Sequence, residues 1–383
     1  MRLALIISTL KAGGAERVMA TLANAWVKRG DCVTLITLGS VDDDFYPLDS
    51  RVHRIGLNLV KNTYGVFDRF HTFCRRASAL RHSVGATDPS VVISFVNRTN
   101  LLTQVATWGL PLPVIVSERN DPREESSPLS MRLLRRVLYP QADAVVVQTN
   151  SVLAWAKKVA PKGRSVVIPN PVGHPKKIWA PTGQQKIVAI GRLNRQKGFD
   201  VLIEAFAKIA PLHPHWTLDI YGEGPERLSL ELMIQNLRLT DRVMLRGIIS
   251  DISSPLVEAG LFVMPSRYEG FPNALLEAMA CGCPVISTDC PSGPAEIIRM
   301  NYDGWLVPPD DVNALANSMS FLVNSAADRQ RLGANASTVL DRFGIDRILE
   351  LWDGLFHQLS GSGHPAMTVS DVKTKPTTST RAA

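Results

Sequence analysis

The segment Arg267-Tyr-Glu-Gly-Phe-Pro-Asn-Ala-Leu-Leu-Glu277-Ala-Met-Ala-Cys-Gly282 carries two carboxylates, Glu269 and Glu277, eight positions apart. Glu269, Gly270, Phe271 and Pro272 form a turn, with the proline near a helix start and Gly282 at its stop. The amides of Asn273, Ala274 and Leu275 then lack intrahelical acceptors and make an anion site suited to a diphosphate. Glu277, one turn further on, is placed to accept hydrogen bonds from ribose hydroxyls. Glu269, before the helix, is placed beside a sugar. The plainer alternative is a pair of surface or capping acids. The frame of strand, glycine, proline and helix favours the functional reading.

A second loop, Ile190-Gly191-Arg192-Leu-Asn-Arg-Gln-Lys197-Gly198, places two cations before a helix that opens at Phe199. A departing nucleoside diphosphate is anionic, so Arg192 and Lys197 would stabilise it directly, the first as a fork and the second as a point charge. Alone, the loop reads more readily as a solvated basic turn, and its placement before the same cleft reverses that reading. Gly13-Gly14-Ala15-Glu16-Arg17 lies between the first strand and the first helix, where glycines admit a ligand close to the backbone. Its spacing is not G-x-G-x-x-G, and Leu38-Gly39-Ser40 stands where a ribose-binding acid should end the second strand, which argues against a nicotinamide site. A tight turn is the alternative. Gly222 and Arg246 each follow a strand and are placed by the base and ribose, or else lie in ordinary turns. Asp42-Asp43-Asp44 is a solvated acidic loop, so no metal or other cofactor is expected.

The elements that must hold these loops are strand-length apolar runs alternating with amphipathic stretches. Strands are expected at Leu3–Ile7, Cys32–Leu38, Val91–Phe95, Val114–Ser117, Ala144–Val147 and Val166–Ile168, with helices at Ala15–Arg29, Gly65–Ser83, Leu129–Leu138 and Ser151–Ala160. A polar, proline-containing stretch from Pro169 to Gln185 reads as a linker. Alternation resumes with strands at Ile187–Ile190, Thr217–Tyr221, Val243–Leu245, Leu261–Met264 and Pro284–Ser287. Helices are expected from Phe199 to about Leu212, at Glu226–Leu237, Asn273–Cys281 and Pro294–Arg299, with closing ones at Asp311–Asn324, Asp328–Leu340 and Ile345–Leu359. The pattern predicts α/β architecture: two doubly wound Rossmann-like domains, 1–170 and 171–359, facing a cleft, then a disordered tail at 360–383.

The 383 residues suit two domains, and the composition excludes a fibrous chain. Residues 1–170 carry 22 Lys and Arg against 13 Asp and Glu, whereas 171–359 carry 17 against 21. The basic half points to an anionic membrane surface or a phosphorylated acceptor, with solvated surface charge as the alternative. Arg75, Arg76, Arg132, Arg135, Arg136, Lys157 and Lys158, interspersed with Leu133, Leu134 and Trp155, form the expected interfacial face, with core packing the alternative for the apolar residues. Five cysteines without a CxxC pair suggest reduced thiols and a cytoplasmic setting. No run spans a bilayer, the apolar start reads as a buried strand rather than a signal peptide, and no nucleic-acid partner is expected.

Together GGAER, GRLNRQKGFDVLIEAF, YGEGPE, SRYEGFPNALLEAMACGCPVISTDCPSGPAEII and GWLVP make the chain, up to about Leu359, resemble glycosyltransferase family 4. This is a large retaining GT-B family, and the similarity is to its bacterial lipid-linked oligosaccharide and exopolysaccharide branch. The resemblance implies that Arg192 and Lys197 hold the donor diphosphate and Glu277 the ribose. Glu269, Gly270 and the amides from Phe271 to Asn273, including Pro272 in their turn, would hold the transferred sugar. The Ala274 and Leu275 amides and Gly14 would contact phosphate. Arg192, Lys197 and Glu269 would carry catalysis, while Gly13, Arg17, Glu118 and Arg119 would form the acceptor side. Many relatives have histidine where this chain has Arg119, so that sugar contact is not carried over. The resemblance also implies a nucleotide-sugar donor, most often UDP-linked, a polyprenyl-diphosphate-linked glycan acceptor, and work at the cytoplasmic face of the inner membrane. A nucleotide-sugar epimerase on the same fold and a non-catalytic binding subunit are the competing readings, separated by donor turnover with and without acceptor.

Overall fold

The computed structural model describes residues 1–60, 65–124, 128–161, 163–180, 183–249 and 251–361. Apolar, β-branched runs build two parallel sheets. The first contains β1 (Arg2–Ile7), β2 (Cys32–Thr37), β3 (His53–Gly56), β4 (Val91–Phe95), β5 (Val114–Ser117), β6 (Ala144–Val147) and β7 (Arg164–Val167), in the order β3-β2-β1-β4-β5-β6-β7. The second contains β8 (Lys186–Ile190), β9 (Thr217–Tyr221), β10 (Val243–Gly247), β11 (Leu261–Met264), β12 (Val285–Thr288) and β13 (Trp305–Val307), in the order β10-β9-β8-β11-β12-β13. Strands such as β4, β5, β6 and β11 are buried along their whole length, because helices cover both faces.

Helices α1 (Gly14–Lys28), α2 (Val66–Thr87), α3 (Asn97–Ala106), α4 (Leu129–Leu138) and α5 (Asn150–Val159) belong to the first sheet. With the second go α6 (Phe199–Ile209), α7 (Arg227–Asn236), α8 (Ser253–Val257), α9 (Asn273–Ala280), α10 (Pro294–Ile297), α11 (Val312–Asn324), α12 (Ala326–Ala336) and α13 (Val339–Phe343). The last helix, α14 (Ile345–Leu359), packs into the core of the first sheet, where Trp352 meets Trp26 of α1 edge-on with ring centres 5.8 Å apart. Arg29 clasps Asp353 at 2.5 and 2.9 Å. The chain thus crosses between the sheets twice, and the two crossings touch where the Val172 amide donates to the Phe343 carbonyl at 2.8 Å.

Strand order reverses at β1/β4 in the first sheet and at β8/β11 in the second. Crevices open at the carboxyl ends of strands at such points. The loops following β1, β8 and β11 are the three that carry the glycine, cation and carboxylate motifs.

Four elements have no counterpart in the sequence expectation, and others differ in extent. β3 is a short, partly exposed edge with no apolar run, and α3 begins Asn-Arg-Thr-Asn, so neither shows the usual periodicity. α8 is a five-residue helix and β13 a three-residue strand. The helix expected over Asp328–Leu340 is broken into α12 and α13, and α2 continues four residues past Ser83. The interfacial face is corrected as well. Leu134 and Trp155 pack against the core beside Tyr139, whereas Leu129, Leu133 and Val137 form the exposed ridge of α4, one helical turn apart. Arg135 is also buried, stacked over Trp155. Among the described residues no helix is long and apolar enough to cross a membrane. The five cysteines are unpaired. The expected disordered tail, from 362 onward, lies outside the described residues.

Candidate active site

A cleft of about 490 Å³ lies between the carboxyl ends of the two sheets. Gly13, Gly14, Arg17, Arg119, Arg192, Lys197, Gly222, Glu269, Gly270, Phe271, Pro272, Asn273 and Ala274 all line it. Two helices point their amino ends at it. In α1 the first backbone bond of the helix is Arg17 N–H to Gly13 O at 3.1 Å, and in α9 it is Leu276 N–H to Pro272 O at 3.2 Å. The preceding amides have no intrahelical acceptor, and neither end has a side-chain cap. Two positive dipole ends therefore converge where Arg192 and Lys197 also stand. Arg192 is exposed and has no ion pair among the described residues.

Lys197 and Glu269 pair with each other, Nζ to Oε1 at 2.6 Å. The Ser266 hydroxyl donates to the same oxygen at 2.6 Å. Glu269 is 5% exposed, so the pair is largely shielded from solvent. Gly222, at φ +145°, lets the chain pass so close to Gly191 that a Cβ would stand 1.8 Å from its carbonyl oxygen. Gly270 is also tightly packed, since a Cβ there would meet the Arg119 carbonyl oxygen at 2.6 Å. Tyr221, Ile248, Ile249 and Ile252 give one end of the cleft an apolar wall.

Glu277 is engaged from across the cleft. Arg17 of α1 grips both its oxygens at 2.5 and 2.6 Å. Burial alone would lower the Arg17 pKa, but Glu277 and the Tyr46 hydroxyl, whose ring lies 5.5 Å away, hold it well above the ordinary range. Burial pushes the Glu277 carboxyl up, with Arg17 pulling it back. The neighbouring Glu16 is likewise pushed up by burial, while its own backbone amide and Arg192 draw it down. The Glu-Arg dipeptide of α1 thus faces residues of opposite charge on the other domain.

Four expected residues stand apart from the cleft lining: Glu277, both of whose oxygens Arg17 holds, and three others. Arg246 turns to the buried Asp219, with Nε 3.2 Å from Oδ1. Glu118 and Arg119 are successive residues after a strand and point in different directions. Arg119 reaches the cleft, and Glu118 turns into a buried network where it accepts from the Tyr139 hydroxyl and lies 3.8 Å from Arg135 Nε. Leu275 is buried in the core, so only its amide is placed at the helix end. Sequence reasoning missed Tyr46, which both donates to and accepts from Gly13 at 2.9 and 3.1 Å, and Asn170, which lies in the Pro169-Asn170-Pro171 linker. It also missed Val96, whose φ of +75° is strained for a β-branched residue and marks the loop after β4 as part of the cleft. None of the three carries a local sequence signal. Among the described residues no cluster of ligands suits a metal ion.

The family model for glycosyl transferases group 1 matches residues 174–339, and that for a glycosyl transferase 4-like domain matches 13–171. A Campylobacter jejuni N-acetylgalactosaminyltransferase named for a polyprenyl acceptor (GalNAc-alpha-(1->4)-GalNAc-alpha-(1->3)-diNAcBac-PP-undecaprenol) is 30% identical over 92% of this chain and 97% of its own. The chain belongs to the GT4-like, GT-B glycosyltransferases. This glycosyltransferase is also 36% identical, over 68% of its length, to the Streptomyces coelicolor exopolysaccharide phosphotransferase SCO2592, but spans only 28% of that protein. Among solved structures, HepE from Anabaena in complex with UDP and glucose superposes with a TM-score of 0.76 at 18% identity, covering 94% of this chain and all of that one. Its likeness establishes the shared fold.

Proposed function

We propose that this glycosyltransferase transfers a hexose or N-acetylhexosamine from a UDP-sugar, with retention, to a polyprenyl-diphosphate-linked glycan in bacterial surface polysaccharide assembly. The observation that carries the donor half is the convergence of two uncapped helix amino ends with Arg192 and Lys197 on one cleft. A diphosphate is the ligand that balances such a field. The UDP bound in HepE and the undecaprenyl acceptor in the name of the Campylobacter relative support the choice of nucleotide and acceptor.

The acceptor hydroxyl attacks the anomeric carbon from the face that the diphosphate leaves. The new C–O bond forms as the sugar–phosphate bond breaks, and the hydroxyl proton passes to a leaving-phosphate oxygen. Arg192, Lys197 and the amides opening α9 take up the charge that develops on the diphosphate. Glu269, Gly270, Phe271 and Pro272 frame the sugar, Glu277 takes the ribose, Gly14 meets the phosphate, and Gly13 and Arg17 approach from the acceptor side. These groups supply the charge a metal would otherwise bring, so turnover is expected to survive EDTA.

The exposed α4 ridge of Leu129, Leu133 and Val137, flanked by exposed Arg132 and Arg136, suits the anionic cytoplasmic face of a membrane. A UDP-sugar panel scored by nucleotide release, with and without lipid-linked acceptors, tests the reading. Acceptor-dependent release supports it. Turnover of donor alone to an epimer would replace it.

A further inference from the structure

The carboxamide of Asn170 is saturated. Its Oδ1 accepts from Arg119 Nη1 at 2.9 Å and from Gln148 Nε2, and its Nδ2 donates to the Phe271 carbonyl at 3.0 Å and to Asn273 Oδ1 at 2.6 Å. An arginine can only donate and a carbonyl can only accept, so the orientation of the amide is determined. Asn273 continues the chain in the same sense, its Nδ2 donating to the Gly14 carbonyl at 2.9 Å. A polarised relay thus runs from Arg119 of the first domain, through the linker, to the first residue of α9 and back to the first residue of α1. It joins the two helix ends that bear on the cleft, whose like dipoles otherwise oppose one another.

We propose that Asn170 is a positioning residue: its carboxamide sets the distance between the amino ends of α1 and α9, and so the alignment of acceptor and donor. This rests on the glycosyl-transfer reading of the cleft. The residue borders the cleft, but all four hydrogen bonds of its carboxamide go to protein partners. It acts through Phe271 and Asn273, which lie in the cleft wall.

Arg119 makes the idea separable from simple structural support. The residue is 7% exposed, and its guanidinium stacks 3.5 Å above the Phe95 ring centre and has no carboxylate partner among the described residues, with Nε and Nη2 unpartnered. Burial alone pulls its pKa down to about 9. An Asn170→Asp change therefore supplies a counter-charge to Arg119 while removing both donors to Phe271 and Asn273. Asn273 must then turn its own amide toward the new carboxylate, which sets its oxygen against the Gly14 carbonyl and breaks the last link.

The test compares Asn170→Asp and Asn170→Ala with the wild-type chain in melting temperature, UDP affinity, transfer rate and backbone hydrogen exchange without ligand. Asn170→Asp is expected to melt no lower than wild type and to bind UDP within about threefold of it, since Asn170 bonds to neither Arg192 nor Lys197 and both cations of the diphosphate site stay in place. Transfer is expected to fall by about 10²-fold, the scale of a reacting-group misplacement of about 1 Å. Segments 13–17 and 269–275 are expected to exchange faster, with the 187–221 core unchanged. Unaltered exchange in both segments overturns the proposal whatever reaction the cleft performs. So does transfer at the wild-type rate, or a parallel loss of melting temperature and UDP affinity in Asn170→Asp. Failure of wild type to bind UDP or turn over any donor instead removes the functional reading beneath it.

Discussion

Lys197→Ala combines two effects that can be separated. In the structure Lys197 Nζ lies 2.6 Å from Glu269 Oε1, and the carboxylate is 5% exposed. Stripping the partner from a buried charge costs about 3–5 kcal/mol. Ser266 still donates to the same oxygen, and the lysine side chain is 22% exposed so water can replace it, which places the cost near the lower end, about 3 kcal/mol. The second effect is on the reaction. Removing one donor from a developing anion costs about 10²–10³ in rate, or about 2.7–4 kcal/mol. Lys197→Ala/Glu269→Gln tells the two apart, because a neutral glutamine no longer needs a counter-ion. Thermal melting and nucleotide release are measured on both proteins. The double variant should recover most of the lost stability, while turnover stays at least about 10²-fold down. Folded Lys197→Ala with turnover within about threefold of wild type, or a double variant that regains both, would refute the assignment of Lys197 to the leaving group.

Three further outcomes follow from the geometry. Arg17→Ala, Glu277→Ala and their double variant, compared in chemical denaturation, should show a favourable coupling of about 1–3 kcal/mol, and additive effects would mean that the cross-cleft pair contributes nothing. Trp352→Ala should destabilise the first domain by about 3–5 kcal/mol, because the side chain is fully buried against Trp26, and a calorimetric trace unchanged from wild type would contradict the role of α14. Leu129→Glu/Val137→Glu should abolish flotation with anionic liposomes at low salt and leave the melting temperature unchanged, since both residues are exposed; flotation equal to wild type would clear α4 of that role.

Much of the architecture was legible because parallel strands covered on both faces are continuous apolar runs. β1, β4, β5 and β11 begin and end within a residue of the pattern. The glycine and proline punctuation of the Glu269–Gly282 segment marked the start of α9 for the same local reason. Elements without such a signal escaped. β3 owes its place to pairing with β2 at the sheet edge, and α3 is a polar-looking helix buried by tertiary packing. In the site, Arg192, Lys197 and Glu269 could be placed together because each follows a strand at a reversal of strand order. Glu277 was placed on its helix, but its partnership with Arg17, 260 residues away, depends on how the domains meet. Arg246 and Glu118 lie outside the cleft lining because a position after a strand does not say which way the side chain turns. Asn170 was read only as part of a linker, and its four hydrogen bonds exist only once both domains are assembled.

The most direct measurement is a crystal structure of the full chain with UDP. The diphosphate is expected between the amino ends of α1 and α9, within hydrogen-bond distance of Arg192 and Lys197, with the ribose at Glu277. A nucleotide bound outside this cleft, or one whose phosphates lie away from both cations and from the opening turn of α9, would contradict it.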